Sequence, residues 1–257
     1  MVAFDDPALW DCRVKKEAAT AAPQDREQKD TDWLCSYDTL SPFLSLIWGR
    51  PRATALYIGT GTSTFPEVVY DRGVKQAVVL DISEVAIDAV RARNAGRRAG
   101  LRAVLGDPSS DPFPELPDPA MAFDLVIDKG THDTLLIRED GWRRAARSLA
   151  ALYARMKTPG TFVLVSHSPP HERSELIDSA GPWHEVQCKV VVCTGMAALA
   201  AGAASTETVE DYPYAVPGWE ERQAARRGVD VADLPVRPQD EDFGFAPGTA
   251  YIYVMEK

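Results

Sequence analysis

The sequence predicts an α/β fold built around a mostly parallel sheet of seven strands. From about Arg52 onward, short apolar runs alternate with helix-period segments, the pattern of successive βαβ units. One such run leads straight into the turn Gly59-Thr60-Gly61, a backbone arrangement that favours a ligand at a strand tip. A chain of 257 residues that is 45% hydrophobic has enough apolar surface for one core of this size.

Residues 53–59 (ATALYIG) read as the first strand and 66–73 (PEVVYDRG) as a short helix stopped by Gly73. The second strand is 76–82 (QAVVLDI). Ser83 caps a helix whose Val85, Ala86, Ala89 and Val90 share one face and which Gly96 follows. Residues 102–107 form a brief third strand. The proline-rich stretch PSSDPFPELPDPA is a loop before the fourth strand, 123–128 (FDLVID).

The helix 141–157 has the clearest period, with Trp142, Ala145, Ala146, Leu149, Leu152, Tyr153 and Met156 on one stripe, and it ends at Thr158-Pro159-Gly160. Strands at 161–166, 183–192 and 249–256 complete the seven. Residues 1–51 are an arm of two helices packing over the open end of the sheet, and 52–257 are the main domain. The insertion at about 195–248, between the last two strands, reads as a lid, an interaction segment or partial disorder.

A formal charge of −10 speaks against a nucleic-acid or anionic-membrane surface and suits a cationic partner. No leader or apolar span is evident, and the four cysteines lack a C-x-x-C pair, so reduced, buried thiols in the cytoplasm are expected. His167 and His171, separated by prolines, make a poor metal pair, and no metal is expected.

Ligands of open parallel sheets collect beyond the carboxyl ends of the strands. Asp81, twenty positions after Gly61, is placed to accept from ribose hydroxyls, or else to cap the next helix. Asp107 is placed to take the exocyclic amine of an adenine, or else to form a turn before Pro108. Ile82 and Pro108, next to the two acids, count with them as cofactor contacts. Thr64 stands where a dinucleotide site needs its third glycine, and Pro66 removes an amide donor, which disfavours a pyrophosphate. The fourth strand ends in DKGTHD, residues 128–133, which crowds two carboxylates, a hydroxyl and an imidazole into one loop, a functional loop or else a polar turn whose Asp128 caps the next helix.

Gly59-Thr60-Gly61-Thr62-Ser63, Asp81-Ile82-Ser83 and above all Asp128-Lys129-Gly130-Thr131 with Asp133 resemble the seven-strand methyltransferases that modify lysines of translation elongation factor 1-alpha. Trp10-Asp11-x-Arg13 and Asp32-Trp33-x-x-x-Tyr37 resemble that family's arm signatures. The resemblance implies a Rossmann-like sheet with helices on both faces and an antiparallel last strand, and S-adenosyl-L-methionine (SAM) as cofactor. It implies that Gly59, Thr60 and Gly61 hold the amino-acid part of SAM, Asp81 its ribose and Asp107 its adenine. Lys129 adjoins the cofactor, which Trp10 and Tyr37 help enclose. Val14 and Tyr57 depart from the family pattern, which has Tyr and an acid there. His132 replaces an apolar residue, and the insertion has no counterpart.

Methyl transfer to an amine needs alignment and a neutral nucleophile. Asp128 is expected to orient the acceptor and His132 to serve as a base. Thr131, Asp133 and His171 are candidate substrate contacts, and Tyr212, Tyr214 and Trp219 of the insertion would receive a cationic acceptor. A protein lysine leads. A small-molecule N-, O- or S-methyltransferase and a non-catalytic binding module remain as alternatives.

Overall fold

The sheet grows outward from its first strand in one direction and then jumps back to grow in the other. In the computed structural model, which describes residues 6–20, 34–47, 53–194, 206–211 and 249–257, β1 (Thr54–Ile58) is followed by α3 (Phe65–Arg72), β2 (Gln76–Asp81), α4 (Glu84–Asn94) and β3 (Leu101–Leu105). The chain then returns to place β4 (Phe123–Lys129) on the other side of β1. It continues through α5 (Thr131–Leu136), α6 (Gly141–Arg155), β5 (Met156–Ser166), α7 (Pro170–Ala180) and β6 (Glu185–Thr194) to β7 (Thr206–Asp211) and β8 (Thr249–Glu256). The strand order is β3-β2-β1-β4-β5-β8-β6-β7. The pairs β3–β2, β2–β1, β1–β4 and β4–β5 are parallel, and β8 runs antiparallel to both β5 and β6.

Alternation along the strands divides the core into two layers. Leu56, Ile58, Val78 and Leu80 point to one face, against Leu149 and Leu152 of α6 and Leu176 of α7. Ala55, Tyr57, Ala77 and Val79 point to the other, against Phe65 and Val69 of α3 and Ile87 and Val90 of α4. The arm contributes α1 (Pro7–Thr20), which packs on α4, and α2 (Tyr37–Leu40), which runs into a 3-10 turn over Ser41–Ile47. Ser36 caps α2 by accepting from the Thr39 amide at 3.3 Å.

All seven expected strands are present, as is the antiparallel last one. An eighth, β7, lies inside the insertion and pairs antiparallel with β6, from Lys189↔Asp211 to Thr194↔Thr206. Its sequence TETVED carries a single apolar residue, Val209, which is itself exposed, so an edge strand of this kind has no hydrophobic alternation to betray it. α6 ends at Arg155 rather than at Lys157, because Met156 is already extended. The register with β4 then shifts between Phe123 and Leu125, where Thr158-Pro159-Gly160 lie within an irregularity of β5. Trp142 is 50% exposed, although the apolar stripe of α6 places it inside. Cys35 is buried, whereas Cys12 is exposed, and both are thiols, as is Cys188. Among the described residues no helix is long and apolar enough to cross a membrane.

Candidate functional site

Strand order reverses between β1 and β4, and at such a point sheets of this kind bind ligands in a crevice beyond the carboxyl ends of the strands. Gly59 and Gly61 both lie in the left-handed region, at φ +61° and +52°. The Gly59 amide donates to the Leu80 carbonyl at 2.8 Å, so the turn leans toward β2. There the buried carboxylate of Asp81 spans two loops: its Oδ2 accepts from the Gly61 amide at 2.8 Å and its Oδ1 from the Ser83 amide at 2.9 Å. Burial pushes the Asp81 carboxyl up from its usual range, while the amides of Gly61, Ser83 and Ile82 work to keep it ionised.

Ser83 caps α4 as expected, accepting from the Ala86 amide at 3.1 Å. Its hydroxyl hydrogen goes to Asp11 of the arm at 2.5 Å, and the same Asp11 oxygen accepts from the Val85 amide at 3.2 Å. The Ser83 hydrogen bond holds the Asp11 carboxyl below its usual range. Sequence reasoning assigned Asp11 no role, although it stands inside the W-D-x-R motif next to Trp10. Trp10 itself is half-buried, with the Arg13 guanidinium 5.5 Å over its ring.

Tyr37 is buried with its ring 5.6 Å from that of Phe65, on which the Tyr57 ring also packs at 6.2 Å. The Lys129 ammonium sits 5.0 Å over the Phe65 ring and donates to the Cys35 carbonyl at 3.1 Å. These contacts hold α2 against the tip of β4. The Tyr57 hydroxyl is buried without a hydrogen-bond partner among the described residues, and burial pushes its pKa well up.

The loop after β4 is organised around Asp128, which like His132 has no exposed surface. Gly130 turns at φ +83° and has no side chain to cap α5, so Asp128 does so: Oδ1 accepts from the Thr131 amide at 2.7 Å and Oδ2 from the His132 amide at 3.0 Å. The His132 ring closes on the same Oδ2 through Nδ1 at 2.5 Å, which places the ring proton on Nδ1 because the carboxylate is the acceptor. Nε2 is buried with no hydrogen-bond partner among the described residues. The Thr131 hydroxyl donates to the Ile58 carbonyl at 3.0 Å and so ties the β4 tip to the β1 tip.

Asp133 accepts from the Ser166 hydroxyl at 2.5 Å, Arg173 Nη2 at 2.8 Å and the His167 amide at 2.7 Å. Its carboxylate therefore locks α5 to the corner between β5 and α7. Thr131 and Asp133, the candidate substrate contacts of this loop, both carry internal side-chain hydrogen bonds. His171 is exposed on the first turn of α7. Tyr212, Tyr214 and Trp219 lie outside the described residues.

Asp107 stands just beyond β3, with Ile82 half-buried and Pro108 buried nearby. Its Oδ1 accepts from the amide and hydroxyl of Ser109, both at 2.7 Å, and its Oδ2 from Arg144 of α6. Nothing in the sequence pairs Arg144 with this site. A separate cavity of about 350 Å³, lined by residues such as Asn94, Arg98 and Leu101, lies at the opposite, amino end of β3 and brings no carboxylate to its walls. Among the described residues no cluster of His, Cys, Asp and Glu is arranged to hold a metal.

The fold is Rossmann-like. It is shared with the N-methyltransferase NodS from Bradyrhizobium japonicum, solved in complex with S-adenosyl-L-homocysteine, at a TM-score of 0.52 and 13% identity over 96% of this chain and 98% of that one. The YcgJ protein from Bacillus subtilis superposes at a TM-score of 0.50 with 14% identity, over 86% of this chain and 98% of that one. In sequence the chain is similar to the eEF1A lysine and N-terminal methyltransferase of Bos taurus, with 31% identity over 150 residues. That match takes in 58% of this chain and 21% of the relative, so the chain spans about a fifth of that protein's length. It is also similar to the EEF1A lysine methyltransferase 4 of Bos taurus, at 30% identity over 179 residues, 66% of this chain and 64% of that protein. No family model matches the chain.

Proposed function

We propose that this chain is a SAM-dependent methyltransferase acting on an amine, and that the amine is a protein lysine. The observation that carries the proposal is Asp81, whose carboxylate joins the glycine turn after β1 to the cap of α4 at the point where strand order reverses. The fit to SAM rests on what the residues leave open. Gly59 and Gly61 expose backbone where the methionine part would lie, and Asp81 and Asp107 set two acceptors along a nucleoside. Thr64 and Pro66 disfavour a pyrophosphate at α3: Pro66 in its first turn has no amide to donate, and the Phe65 amide already donates to the Ser63 hydroxyl at 3.1 Å. The names of the similar proteins support the same reaction, and an excess of acidic over basic residues, 38 to 28, suits a cationic acceptor.

SAM would supply a methyl group on a sulfonium, transferred by in-line displacement. The chain's task is then to hold donor and acceptor in line, a contribution worth up to about 7–11 kcal/mol in favourable cases. We assign Asp128 and His132 to holding the loop rather than to touching the acceptor, because neither presents an atom to the crevice and the Asp128 oxygens are occupied by three N–H donors. The proposal also takes residues 1–51 as an arm latched by Asp11 and Lys129 over a domain formed by 52–257, and places the protein in the cytoplasm.

Incubating the purified protein with methyl-labelled SAM and a cell lysate tests the reaction and the acceptor together. Label in protein, recovered as methyl-lysine after hydrolysis, is the expected result. Label confined to small extractable molecules removes the lysine and favours the small-molecule alternative. Absence of binding to both SAM and its demethylated product removes the enzyme.

A further inference from the structure

Asp107 is one strand away from Asp81. The Gly106 amide donates to the Asp81 carbonyl at 2.8 Å, so the two carboxylates belong to neighbouring strand tips. Asp107 is held from one side. Oδ1 has both acceptor positions filled by the Ser109 amide and hydroxyl, and Oδ2 has one filled by Arg144. Arg144 also donates from Nε to the Ser109 hydroxyl oxygen at 3.0 Å, so a single guanidinium fixes the acid and the residue that orients it. The side chains of Arg144 and Asp107 are 18% and 29% exposed, and the pair is partly withdrawn from water. One acceptor position therefore remains on Asp107, on the oxygen that Arg144 holds, and an ionised carboxylate has no hydrogen to donate.

We propose that Arg144 is a positioning residue for base selection: it fixes Asp107 as a lone acceptor so that the site takes a 6-aminopurine and rejects a 6-oxopurine. The inference rests on the SAM reading. A purine amine offers the hydrogen that this oxygen lacks, whereas a 6-oxo group sets an acceptor against an acceptor. Sites built around one such bond discriminate strongly, because the wrong partner leaves a buried polar group unpaired. Without Arg144 the Oδ2 oxygen of Asp107 loses its anchor to α6, and the carboxylate can swing about the Oδ1 that Ser109 still holds.

Calorimetric titration of the purified protein with S-adenosyl-L-homocysteine and with its deaminated counterpart, S-inosyl-L-homocysteine, tests this. The unaltered protein should bind the adenine compound at least about tenfold more tightly. Arg144→Ala should shrink that gap to about threefold or less by weakening the adenine compound alone. Arg144→Met, which keeps the apolar stem and removes every donor, repeats the measurement with the same expected shrinkage if the alanine variant does not melt cooperatively. A gap that survives in the variant, or an equal loss for both compounds, overturns the inference. Equal binding of both by the unaltered protein also overturns it while leaving the SAM reading intact, and binding of neither removes both.

Discussion

The hydroxyl of Thr131 fills the space in which a side chain on Gly59 would have to stand. A Cβ built on Gly59 falls 2.0 Å from Thr131 Oγ1, and the backbone there is at φ +61°. The tip of β4 thus dictates a glycine at the tip of β1, over and above the demand of the turn.

Gly59→Ala should cost about 1–2 kcal/mol for the left-handed backbone alone, and more for displacing Thr131. Thr131→Ala removes the blocking oxygen but not the backbone penalty. Urea unfolding of both single variants and the double variant should reveal a favourable coupling between the two substitutions. Strict additivity would mean that Thr131 yields freely and that the contact sets nothing.

On the proposed placement of the ribose, Asp81→Ala should weaken SAM binding by about tenfold or more, since the Gly61 amide and the ribose hydroxyls would lose their acceptor together. Asp81→Asn, which keeps one carbonyl oxygen, should lose less. Unchanged calorimetric affinity in the alanine variant would place the ribose elsewhere.

His132→Leu should destabilise the protein by about 1–3 kcal/mol, because it removes a buried donor from Asp128, and should raise the KM for SAM more than it lowers kcat. His132→Asn, with an amide nitrogen near the place of Nδ1, should recover part of both. The pH profile of kcat should keep its shape in these variants. A profile that loses an ionisation on substitution would restore His132 as a base.

At the other end of the sheet, Asp124 accepts from the Thr54 amide at 2.9 Å and from Lys157 at 2.7 Å. Burial pushes its carboxyl up, but the bonds from Lys157 and Thr54 outweigh this and leave it below the usual range. A lowered folded pKa means stability that is present above the ordinary carboxylate value, about 3.9, and lost as pH falls toward the lowered one. The advantage of the unaltered protein over Asp124→Asn in urea midpoint should therefore shrink on acidification. An advantage independent of pH would assign it to shape instead.

The parallel half of the sheet was legible because its strands are apolar on both faces and its helices carry their own stops, such as Gly73 after α3 and Ser83 before α4. α7 escaped notice because Pro169 and Pro170 open SHSPPHERSE like a loop, whereas proline at a helix start is well tolerated. α5 was legible only in the alternative reading that has Asp128 capping the next helix, because Gly130 reads as a break but serves as the left-handed entry to that helix. Within the site, Gly59, Gly61 and Asp81 were readable from spacing. The Asp11–Ser83 and Arg144–Asp107 pairs join residues 72 and 37 positions apart, a proximity that only the folded chain creates.

β8 lies between β5 and β6, so it is hydrogen-bonded on both edges by strands that precede it in the chain. During synthesis, β5 and β6 must each wait with an open edge while the intervening chain, β7 included, emerges. The half of the molecule that carries the proposed nucleoside grip can assemble well ahead of the half that closes the sheet, and truncation before Thr249 would leave two apolar edges exposed to other chains.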